Sequence, residues 1–115
     1  MKTNDIVLAI ILSSGLIPIS SAGQAETMTF YNDQRDPVIE FNIMKSDNTW
    51  GPNEINPPLM AGQNRMISFN FANASECSRR VFTKTSSGEI FRQVHDFCRY
   101  RGLHLHTNGL HPTPN

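Results

Sequence analysis

Three of the four histidines fall near the C-terminus, at His104, His106 and His111. Residues two apart on a strand point to the same side, so His104 and His106 are expected to present adjacent imidazoles, with His111 folding back as a third. Three imidazoles form a donor set for Zn2+ or Cu2+. No Asp or Glu follows Gly102 to complete or orient that set, and the spacing matches no standard zinc pattern. Metal binding by His104, His106 and His111 is therefore the second reading of this chain. The first rests on the segment from Ser46 to Pro58, where the only tryptophan, Trp50, stands among Asn48, Asn53, Asn56 and three prolines. Such a composition excludes a helix or ladder strand and makes a loop. Loops carry binding surfaces; here Trp50 is the candidate aromatic anchor, with Asn48, Asn53 and Asn56 as adaptable hydrogen-bonding groups. The competing role for Trp50 is a plug over one end of the core, beside Ile55.

Catalysis finds little footing. No serine sits in a nucleophile-elbow context, and the two cysteines, Cys77 and Cys98, are expected to be joined to each other. Asp33 with Asp36, or His95 with Asp96, can be drawn as acid–base pairs, but carboxylates are common in turns and Asp96 has an expected partner in Arg79. A phosphate-cradling glycine loop is absent. Arg99, Tyr100 and Arg101 are a fragment of a basic, aromatic nucleic-acid motif and read better as a solvated turn. The expectation is a chain that is no enzyme, needs no cofactor and binds no nucleic acid.

The elements that must position these residues are strands. Residues 1–25 read as a secretory signal peptide: Lys2, an apolar run from Ile6 to Leu12 extended through Leu16 and Ile19, then Ser20, Ser21 and Ala22, with cleavage expected after Ala22 or Ala25. The run is broken by Ser13, Ser14, Gly15 and Pro18 and is too short for a permanent span, so no membrane span is expected in the mature chain. About 90 residues then remain, enough for one domain. Thr27 to Tyr31, Val38 to Met44 and Met66 to Phe71 alternate apolar and polar residues with the period of half-buried strands. Leu103 to His106 is a short last strand. Residues 26–107 are expected to form one domain, and residues 108–115, with Pro112 and Pro114, a flexible tail. Asn73, Ala74 and Ser75 have the form of a glycosylation sequon.

The strongest structural signal is the stretch from Cys77 to Cys98, two strand-like runs hinged on Ser86, Ser87 and Gly88. A two-residue or four-residue loop pairs residues whose numbers sum to 175. That register sets Cys77 opposite Cys98, Arg79 opposite Asp96 and Val81 opposite Val94, a geometry suited to a disulfide. In an exported chain the bridge would staple a domain too small to rely on its core alone. The predicted fold is all-β: a small antiparallel β-sandwich of about six strands with one disulfide.

Charge is balanced overall, ten basic against ten acidic residues, but not along the chain. From Gly23 to Asn64 two basic residues meet six acidic ones, and from Arg65 onward seven basic meet three acidic. The halves either neutralise each other within the fold or leave the C-terminal half open to an anionic partner.

Phe30-Tyr31-Asn32, the loop Trp50-Gly51-Pro52-Asn53, the turn Leu59-Met60-Ala61-Gly62, and Cys77, Gly88 and Cys98 together resemble a loosely defined family of small exported bacterial proteins, mostly uncharacterised. The resemblance spans most of residues 28–98. The family carries an aspartate three residues after the first cysteine and an Asp-Gly turn, where this chain has Arg80 and Ser87-Gly88. The resemblance implies an all-β fold and an exported location, and brings no activity with it. The expected function is binding of a protein or envelope component, outside the cell or in the periplasm.

Overall fold

The computed structural model describes residues 26–71 and 74–114. The signal-peptide segment and Asn73 of the sequon lie outside the described residues. Among the described residues seven strands build two sheets. They are β1 (Glu26–Asn32), β2 (Val38–Ile43), β3 (Asn64–Phe69), β4 (Ser78–Thr85), β5 (Ile90–Asp96), β6 (Gly102–His106) and β7 (Gly109–Thr113). The first sheet has the order β3-β1-β6-β7 and the second β2-β4-β5. All pairings are antiparallel except β1 with β6, which run parallel with Tyr31 beside His104 and Asn32 beside Leu105. The expected antiparallel sandwich thus has one parallel pair, which sets β1 beside β6 in one sheet.

Alternation decides which faces meet. Met28, Phe30, Ile67, Phe69, Leu103, Leu105 and Leu110 line the inner face of the first sheet, and Val38, Phe41, Ile43 and Val81 that of the second. The Phe30 and Phe41 rings meet across the gap at 4.8 Å, tilted by 35°. Phe97 seals one end against Phe69 and Phe71. Ile55 and Leu59, each 1% exposed, seal another, and Leu59 exchanges backbone hydrogen bonds with Val38 at 2.9 Å.

The segment expected to fray is the seventh strand. Gly109–Thr113 folds back on β6, with Leu110 beside Leu105 and buried among the core side chains. Pro112 is tolerated because β7 is an edge strand and needs a full ladder on one side only.

The hairpin register differs from the expectation by one residue. Paired residues sum to 174: Arg79 faces His95, Val81 faces Gln93 and Thr83 faces Phe91. The cause is the loop, which holds three residues and not two or four. Gly88 donates to the Thr85 carbonyl at 3.0 Å with φ +93°, and Thr85 N–H bonds the Glu89 carbonyl at 3.0 Å. This is a turn closed by a left-handed glycine, the usual three-residue hairpin. Arg79 consequently pairs with Glu76 at 3.1 Å and lies over the Phe71 ring, not with Asp96. Val94 leaves Val81 for the outer face, where it is 60% exposed.

The disulfide survives the shift. Cys77 stands opposite Phe97, whose N–H bonds the Cys77 carbonyl at 3.0 Å. Cys98 is one residue further, in a turn held by Asp96, whose Oδ1 accepts from the amides of Cys98 and Arg99 at 3.1 Å. That turn brings the two Cα atoms to 5.5 Å and the bond forms, a spacing normal for a disulfide. A bridged β-domain of this size fits an oxidising compartment. No helix among the described residues is long and apolar enough to cross a membrane.

Candidate functional site

Two regions gather the residues with chemical potential. One is the outer face of the hairpin sheet beneath the tryptophan loop; the other is the end of β6.

The loop is laid along the free edge of β2. Gly51 N–H donates to the Ile43 carbonyl at 2.9 Å and Glu54 N–H to the Phe41 carbonyl at 2.8 Å. The Asn42 side-chain amide donates to the Gly51 carbonyl. Asn53 pins the arrangement: its Oδ1 accepts from the amides of Phe41 and Ile55, and its Nδ2 donates to the Ile39 carbonyl. Contact at Gly51 is so close that a Cβ there would lie 2.8 Å from the Ile43 oxygen. The loop therefore satisfies an edge that would otherwise be open to foreign strands. Its tip is closed by Asp47, which accepts from the hydroxyl and amide of Thr49. The Thr49 hydroxyl bond, then the amide bond, holds the Asp47 carboxyl below its ordinary range. Burial pushes the Glu54 carboxyl above its ordinary range.

Trp50 is not a plug. Ile55 and Leu59 fill that role, and Trp50 stays 41% exposed with its ring edge against Phe82 at 5.9 Å. Phe82 belongs to the outer row of β4, with Ser78, Arg80 and Lys84, and its neighbours on β5 are Ile90, Arg92, Val94 and Asp96. The Arg92 guanidinium lies over the Phe82 ring at 5.3 Å. Trp50, Arg80, Arg92 and Val94 surround a hollow of about 120 Å³. Asn48, at the loop tip with φ +66°, lines an adjoining hollow of about 240 Å³ with Arg80 and Val94. Of the four loop residues singled out by composition, Trp50 and Asn48 reach this face. Asn53 is spent on holding the loop, and Asn56 is exposed ahead of the cis Asn56–Pro57 bond. The missing partners, Phe82, Arg80, Arg92 and Val94, could be found only with the correct hairpin register.

The charges of this face are uneven. Lys84 has Glu40 beside it across the β2–β4 ladder, and Asp96 is engaged with its own turn. Arg80 and Arg92 have no carboxylate partner among the described residues.

At the end of β6, His104 and His106 share the outer face of the first sheet, as their spacing implies. Their nearest donor is Asp33, the first residue after β1. Its N–H bonds the Leu105 carbonyl at 2.9 Å, and its Oδ2 lies 2.5 Å from His104 Nδ1 and 3.3 Å from His106 Nε2. His104 is stacked on Tyr31 at 4.1 Å and 7°. His111, across the ladder from His104, is stacked on His106 at 4.5 Å and turns its Nε2 to Asn108 Oδ1 at 2.8 Å. The set of three imidazoles is thus replaced by two imidazoles and a carboxylate. Asp33 was missed because the parallel β1–β6 pairing brings it from 71 residues away in the chain.

The fourth histidine, His95, is core. It is 1% exposed, its ring is edge-on to Phe97 at 4.6 Å, and Nε2 is 3.0 Å from the Tyr100 carbonyl. Its Nδ1 has no hydrogen-bond partner among the described residues. Burial, more than any other influence, lowers its pKa below the ordinary 6.5.

No protein-family model, curated protein or solved structure matches this chain.

Proposed function

We propose that this chain is a small exported binding protein that holds an acidic segment of a partner polypeptide on the outer face of the β2-β4-β5 sheet. The observation carrying this reading is Trp50, a large aromatic side chain kept out of the core and presented on a hydrogen-bonded loop beside Arg80 and Arg92, which have no carboxylate partner among the described residues. Exposed tryptophan and arginine are the side chains that contribute most at protein interfaces. The Asn53 and Gly51 contacts fix the loop beforehand, which lowers the ordering cost of binding. Export is part of the proposal, resting on the N-terminal segment read as a signal peptide and on the disulfide. Membership of the exported family that the Trp-Gly-x-Asn loop resembles belongs to the same proposal.

A polypeptide suits this face better than a glycan or a lipid headgroup. Phe82 pairs with Arg92 and Arg80 with Val94 across the ladder, so apolar and cationic groups alternate over this face and around its two hollows. A chain carrying both carboxylates and apolar side chains complements that pattern. A glycan supplies acid and a stacking ring but nothing for Val94 and Ile90.

The experiment is an array of acidic peptides, each with a counterpart in which Gln replaces Glu, probed with the purified protein, with Trp50→Ala and with Arg80→Ala/Arg92→Ala. Capture of acidic peptides that both variants lose while remaining folded supports the reading. Equal capture of the Gln counterparts, retention by folded Trp50→Ala, or preference for heparin or anionic vesicles over every peptide overturns it. Unfolding of Trp50→Ala also counts against it, because an anchor residue outside the core should be dispensable for stability.

A further inference from the structure

We propose that Asp33, His104 and His106 form a binding site for one divalent transition-metal ion, Zn2+ or Cu2+, on the outer face of the four-stranded sheet. This site is separate from the tryptophan face and does not depend on it.

The donor atoms are the first ground. Asp33 Oδ2, a His104 ring nitrogen and a His106 ring nitrogen all lie within 4.8 Å of one another. Around a tetrahedral ion with bonds of about 2.0–2.1 Å, donors stand about 3.4 Å apart. The Asp33–His106 separation of 3.3 Å already has that value. The Asp33–His104 contact of 2.5 Å opens by about 1 Å when an ion replaces the proton between them. Only side-chain torsions need change, because the backbone is fixed from three directions: the β6 ladder carries both histidines, the β1–β6 pairing sets Asn32 beside Leu105, and the Asp33 amide bonds the Leu105 carbonyl.

The second ground is orientation. Tyr31 stacks on His104, and His111 stacks on His106. Each imidazole is therefore held at one face with its ring plane set, an orienting role that a hydrogen bond from the second ring nitrogen fills in most metal sites. His111 stands outside the group of converging donor atoms and its Nε2 is engaged by Asn108, so it serves as a support and not as a ligand.

The third ground is the local field and access. Asp33 opens onto a shallow groove of about 1050 Å³ that also carries Asp36 and Glu89 against a single cation, Arg35. Such a groove draws cations toward the donors. The side chains of His104, Asp33 and His106 are 24%, 38% and 46% exposed, so an ion can enter and a coordination position stays open to water or another ligand. Two imidazoles and one carboxylate favour borderline ions over Mg2+ or Ca2+, with Cu2+ held more tightly than Zn2+.

The test is isothermal titration of the purified protein with ZnCl2 and CuCl2, alongside Asp33→Asn, His104→Ala, His106→Ala and His111→Phe. Thermal melts with and without metal serve as a second readout that also reports folding. Expected are one equivalent bound with sub-micromolar affinity, a melting temperature raised by metal as mass action requires, and affinity lowered more than about 100-fold by each of the first three substitutions. His111→Phe keeps a stacking ring and should leave affinity within about tenfold of the unaltered protein. Absence of sub-micromolar binding overturns the site. So does loss on His111→Phe with retention on Asp33→Asn, which would assign the ion to three imidazoles. Equal Mg2+ affinity would reduce the site to a diffuse acidic surface and likewise overturns it.

Discussion

Asn32 is a sensitive residue of this fold, and the effect of replacing it can be worked from its contacts. It is fully buried at the end of β1. Its Nδ2 donates to the carbonyls of Asp36 at 2.9 Å and Leu59 at 3.0 Å, and its Oδ1 accepts from Gln34 Nε2 at 2.8 Å, with the Gln34 amide at 3.3 Å. One side chain thus ties the Asp33 turn to the stretch that closes the core at Leu59. In Asn32→Ala the three shorter bonds vanish. The Leu59 carbonyl keeps the Val38 amide and the Asp36 carbonyl keeps Gln34, so neither is orphaned and the loss is that of the bonds themselves. At about 1 kcal/mol each this amounts to about 3 kcal/mol, a fall in melting temperature of roughly 12–24 °C for a domain of this size. Asn32→Asp is nearly isosteric yet should cost more, because it turns an acceptor toward two carbonyls and buries a charge. Urea unfolding followed by Trp50 emission measures both, as a shift in midpoint at unchanged slope. An Asn32→Asp protein as stable as Asn32→Ala or better, or an alanine cost below about 0.5 kcal/mol, the range of neutral surface changes, would refute the reasoning.

Replacing both cysteines by serine should lower stability by about 3 kcal/mol, the loop-entropy value for closing a 21-residue separation; denaturation of the double variant, and of the protein under reductant, measures it. Burial depresses the His95 pKa, so the unfolded chain binds more protons than the folded one once pH falls below the ordinary value of 6.5. Stability should be pH-independent with respect to His95 above that value and should decline as pH drops through it. The neighbouring charges are Asp96 and, across the ladder, Arg79, with the Tyr100 carbonyl as hydrogen-bond partner. His95→Gln should remove that part of the slope in urea melts taken across the range. Gly51→Ala pushes a methyl into the Ile43 carbonyl at 2.8 Å. It should cost about 1–3 kcal/mol and shift Trp50 emission, since the loop must lift from β2.

Much of the architecture was legible because it rests on period-two alternation. β1, β2, β3 and the short β6 announce themselves through residues such as Met28 and Phe30 or Ile67 and Phe69, and the hairpin and disulfide through Ser86-Ser87-Gly88 set between the two cysteines. The register of the hairpin did not, because it turns on whether Gly88 takes a left-handed conformation and makes the loop three residues long. One residue of slip moved Arg79 from Asp96 to Glu76 and brought His95 into the core. β7 was obscured by Pro112, which signals a breaker locally but is harmless at an edge. The site residues divide the same way. His104 and His106 were visible from spacing alone, whereas Asp33 joins them through a parallel pairing of distant strands. Trp50 was visible as an unusual residue, but its outward position follows from Ile55 and Leu59 filling the end of the core.

The proposed binding face is most directly tested by the emission of Trp50, the single tryptophan of the chain, during titration with an acidic peptide from the array. A saturable change in emission that weakens as salt is raised, and that is lost in Arg80→Ala/Arg92→Ala, is the predicted result. An emission unmoved by peptides that the protein demonstrably binds would place the contact elsewhere and contradict the account.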